Sequence, residues 1–377
     1  MGTRFDLAIV GAGIVGLAHA LAAARRGLKV VVVERDPRAC SASVQNFGFV
    51  TITGQEPGPT RERALRTRDV WDEVAAQAGI AVPQRGALVV ARRRESRELL
   101  AAYAASPEGE GCEFHDAVHA RRRWPMLAAG LEGALLSPHE LRVEPREALP
   151  KLAAWLAGRH GVAFHWGVSV GAVEPGALVH AEGRIEADAI VVAAGAALRA
   201  LAPAIARRTN YRACRLQMMR TAAQPPAFRL EHVLMSDLSL VRYAGFARMR
   251  PAKALLARLH EEVPASLANG VNLIVAQGAD GSLVVGDSHH YDEAIEPFAS
   301  EPVDALILDE MDAVLDVPRP GITEHWLGVY PVADVAPLLR ENIAERVLAV
   351  AVTSGTGMST AFAIGEETVA SLFGAAA

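Results

Sequence analysis

The beginning of the chain alternates between apolar runs and breaks at glycine. Residues 7–10 form an apolar run that ends at Gly-Ala-Gly. An Ala- and Leu-rich helical pattern follows, and a break at Gly27 precedes a second apolar run that ends at Glu34. Short apolar runs bounded by turn residues are typical of buried strands, whereas the longer apolar pattern between them is typical of a helix. The pattern therefore predicts strand, turn, helix, turn and strand.

Three glycines at the first turn have the spacing G-x-G-x-x-G. In such a unit Gly11 allows the tight turn, Gly13 lets the backbone approach a pyrophosphate, and Gly16 lets the helix pack against the strand. The free N–H groups at the helix start attract phosphates. Glu34 ends the second strand, where a carboxylate can accept hydrogen bonds from a ribose 2′-OH and repels a 2′-phosphate. The unit predicts a dinucleotide site that disfavours NADP, although an α/β unit without a nucleotide has the same pattern.

The rest of the chain divides into two patterns. The segment after Glu34 is rich in small and turn-forming residues, which is typical of a loop that wraps a ligand. From residue 209 to about 321, apolar and polar residues alternate as in antiparallel strands, with a hairpin turn at 278–281. This predicts an antiparallel sheet inserted into an α/β frame, which returns at the C-terminus as strand, glycine-rich turn and helix. Between these landmarks we predict helices at 60–79, 95–105 and 145–158, and strands at 86–93, 162–170 and 189–193.

Composition limits the class of protein and its partners. A chain of 377 residues with 51% hydrophobic and 21% charged residues can bury two or three structural units, and a net charge of −5 gives no attraction for nucleic acid. Cys40, Cys112 and Cys214 are too scattered for a disulfide framework or a zinc site. No apolar stretch of about 20 residues lacks glycine or charge, and Asp6 argues against a secretory signal. We therefore expect a cytoplasmic protein that does not enter a membrane.

Four motifs, in order along the chain, carry a resemblance to a known superfamily. They are "GAGIVGLAHALAAARRG" with the following "VVVVE", then "ASVQNFG", "IVVAAGA" and the C-terminal "TSGTGMSTAFAIGE". Over essentially its whole length the chain resembles the FAD-dependent oxidoreductases of the D-amino-acid oxidase, glycine oxidase and sarcosine oxidase superfamily. The stretches "ASVQNFGFVTITGQ", "GDSHHY" and "HWLGVY" are similar to a subgroup found among bacterial phosphonate-catabolism functions.

The resemblance implies an α/β fold with two domains. An FAD-binding, Rossmann-like domain of the glutathione-reductase type would comprise residues 1–85, 142–212 and 323–377. An inserted α+β domain with an antiparallel sheet would comprise residues 86–141 and 213–322 and would bind the substrate.

The resemblance also implies which residues hold FAD. Backbone N–H groups at the start of the last helix would face the flavin N1–C2=O edge, where they and the helix dipole stabilise charge on the reduced ring. Sarcosine oxidases link their flavin to a cysteine near the C-terminal glycines, but the last cysteine here is Cys214, so we expect non-covalent FAD. The residues assigned to the cofactor are Gly11, Gly13, Gly16, Glu34, Arg35, Ser43, Asn46, Gly48, Val170, Ala194, Gly195, Gly355, Gly357, Met358 and Ser359.

On the substrate side the chain departs from the amino-acid oxidases of the superfamily. These commonly have an arginine shortly after a Trp-Gly motif, which holds the substrate carboxylate, whereas "HWLGVYP" places Tyr330 there. The candidate donors to a tetrahedral oxyanion are instead His289 and His290, helped by Arg242 and Tyr243. Because neighbouring strand residues point to opposite sides, the alternative is that one histidine is packed and the other solvated. These five residues are the candidate catalytic and substrate-binding set.

Together these observations predict an FAD-dependent oxidoreductase that oxidises the C–N bond of a small anionic primary or secondary amine, in first place an aminophosphonate. The imine would hydrolyse to an aldehyde and ammonia or an amine, and the resemblance favours O2 as the acceptor. Only one complete G-x-G-x-x-G is present, so electrons should come from the organic substrate rather than from NADH. No metal is expected, because Asp287 and Asp292 beside the histidines form no known ligand spacing.

Three alternatives stay open at this point. One is a general D-amino-acid, glycine or sarcosine-type oxidase. Another is a flavin dehydrogenase that passes electrons from a hydroxy acid or polyol phosphate to a quinone. The third is a flavin-binding module without turnover, or a flavin domain that serves RNA modification, although the acidic balance of the chain argues against RNA. The sequence leaves the oligomeric state open.

Overall fold

The computed structural model describes residues 4–294, 296–317, 321–335 and 337–374. The strands are β1 (Phe5–Val10), β2 (Val30–Glu34), β3 (Phe49–Val50), β4 (Gln84–Ala91), β5 (Glu113–Asp116), β6 (Gly133–Arg142), β7 (Ala163–Trp166), β8 (Val170–Glu174), β9 (Ala177–His180), β10 (Gly183–Val192), β11 (Arg212–Thr221), β12 (Val233–Met235), β13 (Ile274–Gln277), β14 (Leu283–Gly286), β15 (His290–Asp292), β16 (Ile322–Val332), β17 (Leu338–Ala344) and β18 (Val347–Val352). The α-helices are α1 (Ile14–Ala24), α2 (Pro59–Ala78), α3 (Arg94–Ala104), α4 (Ala117–Arg123), α5 (Pro145–His160), α6 (Leu198–Leu201), α7 (Pro203–Arg208), α8 (Ala244–Ala247), α9 (Ala252–Glu262), α10 (Pro264–Ala268), α11 (Glu301–Asp312) and α12 (Gly357–Phe373). Short 3-10 helices cover Pro107–Gly109, Gly195–Ala197 and Asp237–Val241.

The first sheet is built around the predicted strand, helix and strand unit. β1 lies between β2 and β10 and is parallel to both, with Val10 opposite Val33 and Val192. β18 and β7 extend the parallel sheet on either side, and β17 adds an antiparallel edge. Because the carboxyl ends of parallel strands meet at one edge of a sheet, Gly11 and Glu34 lie close together there.

Helices α1, α2 and α12 pack together over one face of this sheet. Trp71 of α2 is fully buried, and its ring contacts Phe362 of α12 edge-on, with the ring centroids 5.1 Å apart. The Trp71 indole N–H donates to the carbonyl oxygen of Met358 at 3.0 Å. This contact fixes the first turn of α12, which follows the C-terminal glycines, to the hydrophobic core.

The second sheet is mixed and contains a bulge. β11 pairs along its whole length with β16, and it also pairs with both β14 and β15. Because β16 already occupies one edge of β11, β14 and β15 must share the other edge. Between them, residues 287–289 lie opposite only Leu216 and Gln217, so this edge carries one extra residue. The backbone N–H of Gln217 donates to the Ser288 hydroxyl at 3.1 Å rather than to a ladder carbonyl.

The predicted α/β fold class, with an antiparallel-rich second sheet, is confirmed. The helices predicted at 60–79, 95–105 and 145–158 correspond to α2, α3 and α5, and the strands predicted at 86–93 and 189–193 lie within or overlap β4 and β10. In the described ranges of the chain, no helix has the length and apolar character needed to cross a bilayer.

Two sequence predictions of secondary structure differ from the structure. Residues 162–170 form two short strands, β7 and β8, because the chain turns at Gly167, whose φ is +73°. The segment after β12 was predicted as strand, but it forms the 3-10 helix Asp237–Val241, whose start is capped by the Ser236 hydroxyl. The predicted domain border between 322 and 323 falls at the start of β16, which pairs with the second sheet. We propose to move that border to the end of β16.

Candidate active site

A cavity of about 830 Å³ lies at the carboxyl edge of the first sheet and extends to the bulge of the second. Its volume is in the upper part of the range of about 300–1,000 Å³ that is typical of small-molecule sites. Three residues assigned from the sequence do not line it: Gly16, Gly48 and His290. The assigned residues that line it are Gly11, Gly13, Glu34, Arg35, Ser43, Asn46, Val170, Ala194, Gly195, Arg242, Tyr243, His289, Tyr330, Gly355, Gly357, Met358 and Ser359.

Two glycines of the first turn are required by close backbone contacts. Gly11 has a φ of +105°, and a Cβ there would lie 2.6 Å from the carbonyl oxygen of Ala193. A Cβ at Gly16 would lie 1.9 Å from the carbonyl oxygen of Gly11, so a larger residue would push α1 away from β1. Gly16 is therefore a packing residue, in agreement with the role of the third glycine in the motif.

Two side chains hold the N-terminus of α1 at the cavity. The Ser43 hydroxyl accepts a hydrogen bond from the backbone N–H of Ile14 at 2.9 Å. Glu34 accepts from the backbone N–H of Ala12 at 2.8 Å and from that of Asp36 at 3.1 Å. Each carboxylate oxygen keeps a further acceptor position, so Glu34 can also bind ribose hydroxyls. This end of the cavity fits the pyrophosphate and ribose of a dinucleotide.

The start of α12 forms the other wall assigned to the cofactor. α12 begins at Gly357, its first turn lines the cavity, and the Ser359 hydroxyl accepts from the backbone N–H of Thr51 at 2.8 Å. Gly355 has a φ of +75°, and a Cβ there would lie 3.2 Å from Cζ of Tyr330. The Tyr330 ring therefore lies against the glycine turn, and the N-terminal dipole of a long helix faces the cavity.

Asn46 and Gly48 shape the loop between these two walls. The Asn46 amide donates to the carbonyl oxygen of Ala42 at 2.8 Å and accepts from the backbone N–H of Gly48 at 2.7 Å. A Cβ at Gly48 would lie 1.8 Å from the carbonyl oxygen of Val143. Gly48 is therefore needed for packing, and Asn46 holds the loop against the cavity.

At the far end of the cavity, Arg242 and two tyrosines form a hydrogen-bonded group. Nη2 of Arg242 donates to the Tyr291 hydroxyl at 2.8 Å, and the Tyr330 hydroxyl lies 3.4 Å from the same nitrogen. Tyr291 and Tyr330 flank Cys214 in strand register, so all three side chains project from one face of the sheet. Because a guanidinium only donates, each phenol keeps its own O–H to donate to an anion. We call Arg242, Tyr291 and Tyr330 the donor group.

The charges of Arg242 and Tyr330 do not change near neutral pH. Burial alone would lower the pKa of Arg242, but the neighbouring phenols and the Asp287 carboxylate raise it. Burial raises the pKa of Tyr330 well above 10 and that of Tyr243, which also lines the cavity, to about 12. Arg242 is therefore a cation and the Tyr330 phenol is neutral, which suits an anionic ligand.

The bulge between β14 and β15 places Asp287 and His289 on the cavity. Alternate residues of an extended segment point to the same side, so these two share a side and His290 faces the other. The backbones of Asp287 and Asn272 exchange two N–H to carbonyl hydrogen bonds, both of 2.8 Å. The Asn272 amide nitrogen lies 3.4 Å from Oδ1 of Asp287, and its oxygen accepts from the Ser239 hydroxyl at 2.6 Å.

Asp287 is a buried carboxyl, and one of its oxygens accepts from no donor in the part of the chain that the structure describes. Its exposed fraction is 5%, and burial raises its pKa to about 7 against the opposing effect of Arg242. Within the described ranges, the hydrogen bond from Asn272 reaches Oδ1 and none reaches Oδ2. Nδ1 of the His289 ring lies 3.7 Å from Oδ1 of Asp287. Oδ2 is thus an acceptor for a ligand in the cavity.

The geometry contradicts the sequence-based assignment of both histidines as oxyanion donors. Nδ1 of His289 lies 2.9 Å from the carbonyl oxygen of Gly270, which can only accept, so Nδ1 carries the hydrogen. Burial and then Arg242 lower the pKa of His289 well below 6.5, so its ring is neutral and Nε2 is an acceptor. His290 lies outside the cavity, with Nε2 3.1 Å from Oδ1 of Asn269.

The lining residues that sequence reasoning missed include the polar residues Asp287, Asn272 and Tyr291. Asp287 and Tyr291 belong to "GDSHHY", so a carboxylate and a phenol beside two histidines at a strand end were the available signal. In the part of the chain that the structure describes, no group of three His, Cys, Asp or Glu side chains could hold a metal ion.

Comparisons with known proteins agree with this architecture. The family described as "DAO: FAD dependent oxidoreductase" matches residues 6–371. Glycine oxidase from Bacillus cereus ATCC 14579 has a TM-score of 0.78 at 17% identity, over 98% of this chain and 95% of that chain. L-alpha-glycerophosphate oxidase from Mycoplasma pneumoniae with FAD bound has a TM-score of 0.75 at 16% identity, over 98% and 95%. Iminodiacetate oxidase from Chelativorans sp. BNC1 has a TM-score of 0.73 at 17% identity, over 98% and 96%. No functionally curated protein matches at a significant level.

Proposed function

The chain belongs to the DAO family of FAD-dependent oxidoreductases, and we propose that it oxidises the C–N bond of a small anionic amine, with an aminophosphonate as the first candidate. When bound, FAD would supply the two-electron redox chemistry that this oxidation needs, with O2 as the proposed electron acceptor. The imine product would hydrolyse to an aldehyde and release ammonia or an alkylamine.

The chain's own residues fit the cofactor at two helix starts. The turn after β1 and Glu34 would hold the pyrophosphate and a ribose, and the glycine turn before α12 would hold the flavin ring. Val170, Ala194 and Gly195 also line the cavity. The protein thereby supplies orientation and backbone N–H groups, whereas the redox chemistry belongs to the cofactor.

The donor group is the observation that carries the proposed substrate class. It presents a guanidinium and two phenols to one region of the cavity, and a phosphonate offers three acceptor oxygens to them. Tyr330 lies against Gly355, so an anion bound by the donor group lies beside the turn assigned to the flavin. The amine end of a short substrate is then within reach of the same turn.

Because of Arg242, a second substrate class must be compared with the aminophosphonates. Superfamily amino-acid oxidases commonly take their guanidinium from the chain after a Trp-Gly motif, whereas here Arg242 follows the 3-10 helix and meets Tyr330 in space. A carboxylate would also suit this group. The similar structures include oxidases named for glycine, for iminodiacetate and for glycerophosphate. Amino acids and a phosphate ester therefore serve as the competing substrates.

We expect small aminophosphonates to reduce the flavin faster than glycine, sarcosine, D-alanine or glycerol 3-phosphate. The reason is the match between three phosphonate oxygens and the three side chains of the donor group. The measurement is anaerobic bleaching of the flavin absorbance after mixing with 2-aminoethylphosphonate or its N-methyl or hydroxyl derivatives. If glycine, sarcosine or D-alanine bleaches the flavin at least as fast as every aminophosphonate, the general amine oxidase alternative replaces the phosphonate proposal. Faster bleaching by glycerol 3-phosphate would favour the dehydrogenase alternative.

Heat or acid should release FAD into the supernatant. None of the three cysteines lines the cavity: Cys40 is exposed, Cys112 lies elsewhere in the fold, and Cys214 is buried. Burial also raises the pKa of Cys214 to about 11, so its thiolate is scarce near neutral pH. The measurement is the flavin spectrum of supernatant and pellet after denaturation, and yellow colour that stays with the pelleted protein would contradict it.

A further inference from the structure

The substrate end of the cavity is polarised, with hydrogen-bond donors on one side and acceptors on the other. The donor group supplies Arg242 and two phenols. Nε2 of neutral His289 and Oδ2 of ionised Asp287 can only accept. A ligand that carries both an anion and an ammonium group satisfies both sides, whereas an anion alone leaves the acceptors unpaired.

We propose that Asp287 binds the substrate ammonium and accepts its proton at Oδ2, as the catalytic base of the reaction; this rests on the proposed function. In this step an N–H bond breaks, its electron pair stays on nitrogen, and an O–H bond forms at Asp287. The neutral amine has the lone pair that stabilises a developing iminium when the neighbouring carbon loses a hydride. An ammonium has no such lone pair, so the proton must leave first.

Asn272 and the bulge hold the carboxyl in the orientation that this role requires. The Asn272 amide occupies Oδ1 at 3.4 Å, and the Ser239 hydroxyl fixes that amide at 2.6 Å. The two backbone hydrogen bonds between Asp287 and Asn272 keep the bulge in place. Because Asp287 is only 5% exposed and lines the cavity, a ligand would reach its carboxyl from the cavity.

The surroundings make Asp287 the group that changes charge near neutral pH. Charged or titratable groups that act on it are Arg242, His289, Tyr243 and Cys214. His289 is neutral, and burial raises the pKa of the Tyr243 phenol to about 12 and that of the Cys214 thiol to about 11. These neighbours keep their charge between pH 6 and 8, whereas burial raises the pKa of Asp287 into that range, to about 7.

The test compares Asp287→Asn with Asp292→Asn, which removes an exposed carboxylate on β15. Rapid anaerobic mixing gives the rate of flavin reduction by 2-aminoethylphosphonate between pH 6 and 9. Flavin absorbance gives the dissociation constant of ethylphosphonate, which has the same anion and no amine. Asp287→Asn should lower the reduction rate at least about 100-fold and remove its rise near pH 7. It should leave ethylphosphonate binding within about threefold of wild type, or tighter, and Asp292→Asn should change neither quantity.

The two ligands separate the titration of Asp287 from that of the phosphonate. Ethylphosphonate has no ammonium group, so the pH dependence of its binding reports the phosphonate alone. Reduction by Asp287→Asn at the wild-type rate and with the wild-type pH profile overturns the role of Asp287 and leaves the proposed function intact. If neither 2-aminoethylphosphonate nor its N-methyl and hydroxyl derivatives reduce the wild-type flavin, the phosphonate substrate is wrong. Asp287 is then tested by the binding of glycine against acetate. If Asp287→Asn loses affinity for glycine and for acetate to the same extent, Asp287 is not the ammonium site.

Discussion

Replacement of Arg242 by alanine is expected to weaken substrate binding at least about a hundredfold while FAD stays bound. Truncating one partner of a buried, hydrogen-bonded charge pair costs about 2–5 kcal/mol, and each 1.4 kcal/mol is about tenfold in affinity. Arg242 donates to Tyr291 and lies near Tyr330, so its loss removes the cation and leaves both phenols without their donor. The predicted loss should appear for every anionic ligand, including ethylphosphonate.

The matched control is Arg248→Ala, which removes an exposed arginine from the same segment of the chain. The dissociation constant of ethylphosphonate and the KM for the amine substrate should both rise in Arg242→Ala. Neither should change in Arg248→Ala. The flavin content of each purified variant shows whether the cofactor is retained. Wild-type affinity for the anion in Arg242→Ala would place the anion site elsewhere.

The same variant should move the pH profile upward. In the wild type Arg242 lowers the pKa of Asp287 against the larger effect of burial. Without the guanidinium, the pKa of Asp287 rises further, so a base that must be deprotonated becomes active at higher pH. The rise in flavin reduction should therefore lie above pH 7 in Arg242→Ala when measured at saturating substrate.

The nucleotide-binding half of the site could be predicted from the sequence because its determinants are local. The glycines of the first turn, the apolar strand before them and Glu34 after the next strand lie within one short unit. The structure places Gly11, Gly13 and Glu34 on the cavity. The motif also predicts that the third glycine is a packing residue. The physical reason is that a Cβ at Gly16 would collide with the backbone of Gly11.

The substrate half could be predicted only in part, because its geometry depends on strands distant in sequence. Arg242 and Tyr243 were chosen as cavity residues although their segment was predicted as a strand and forms helical turns. The orientation of Asp287 comes from a bulge, and that bulge exists only because β11 pairs with three other strands. Strand alternation indicates that His289 and His290 face opposite sides, but the charge of His289 depends on burial and on the carbonyl group of Gly270.

Replacement of Gly11 by alanine is expected to lower the affinity for FAD at least about tenfold and to lower the melting temperature. The φ of +105° is unfavourable for alanine, and its Cβ would lie 2.6 Å from the carbonyl oxygen of Ala193. Positive φ and overpacking each cost about 1–3 kcal/mol. Relief of that contact must separate the ends of β1 and β10, and this moves the backbone that a pyrophosphate approaches. The measurement is reconstitution of the apoprotein with FAD, together with thermal unfolding.

Gly27→Ala provides the control that separates backbone strain from the contact at the site. Gly27 belongs to the same strand, helix and strand unit and has a φ of +74°, but a Cβ there would meet no atom within 4 Å. This variant should lose about 1–3 kcal/mol of stability through strain alone and bind FAD with wild-type affinity. If Gly11→Ala and Gly27→Ala show the same FAD affinity at equal loss of stability, the turn after β1 does not hold the pyrophosphate. A selective loss in Gly11→Ala ties the Gly11–Ala193 contact to the cofactor, because strain of the same kind is present in both variants.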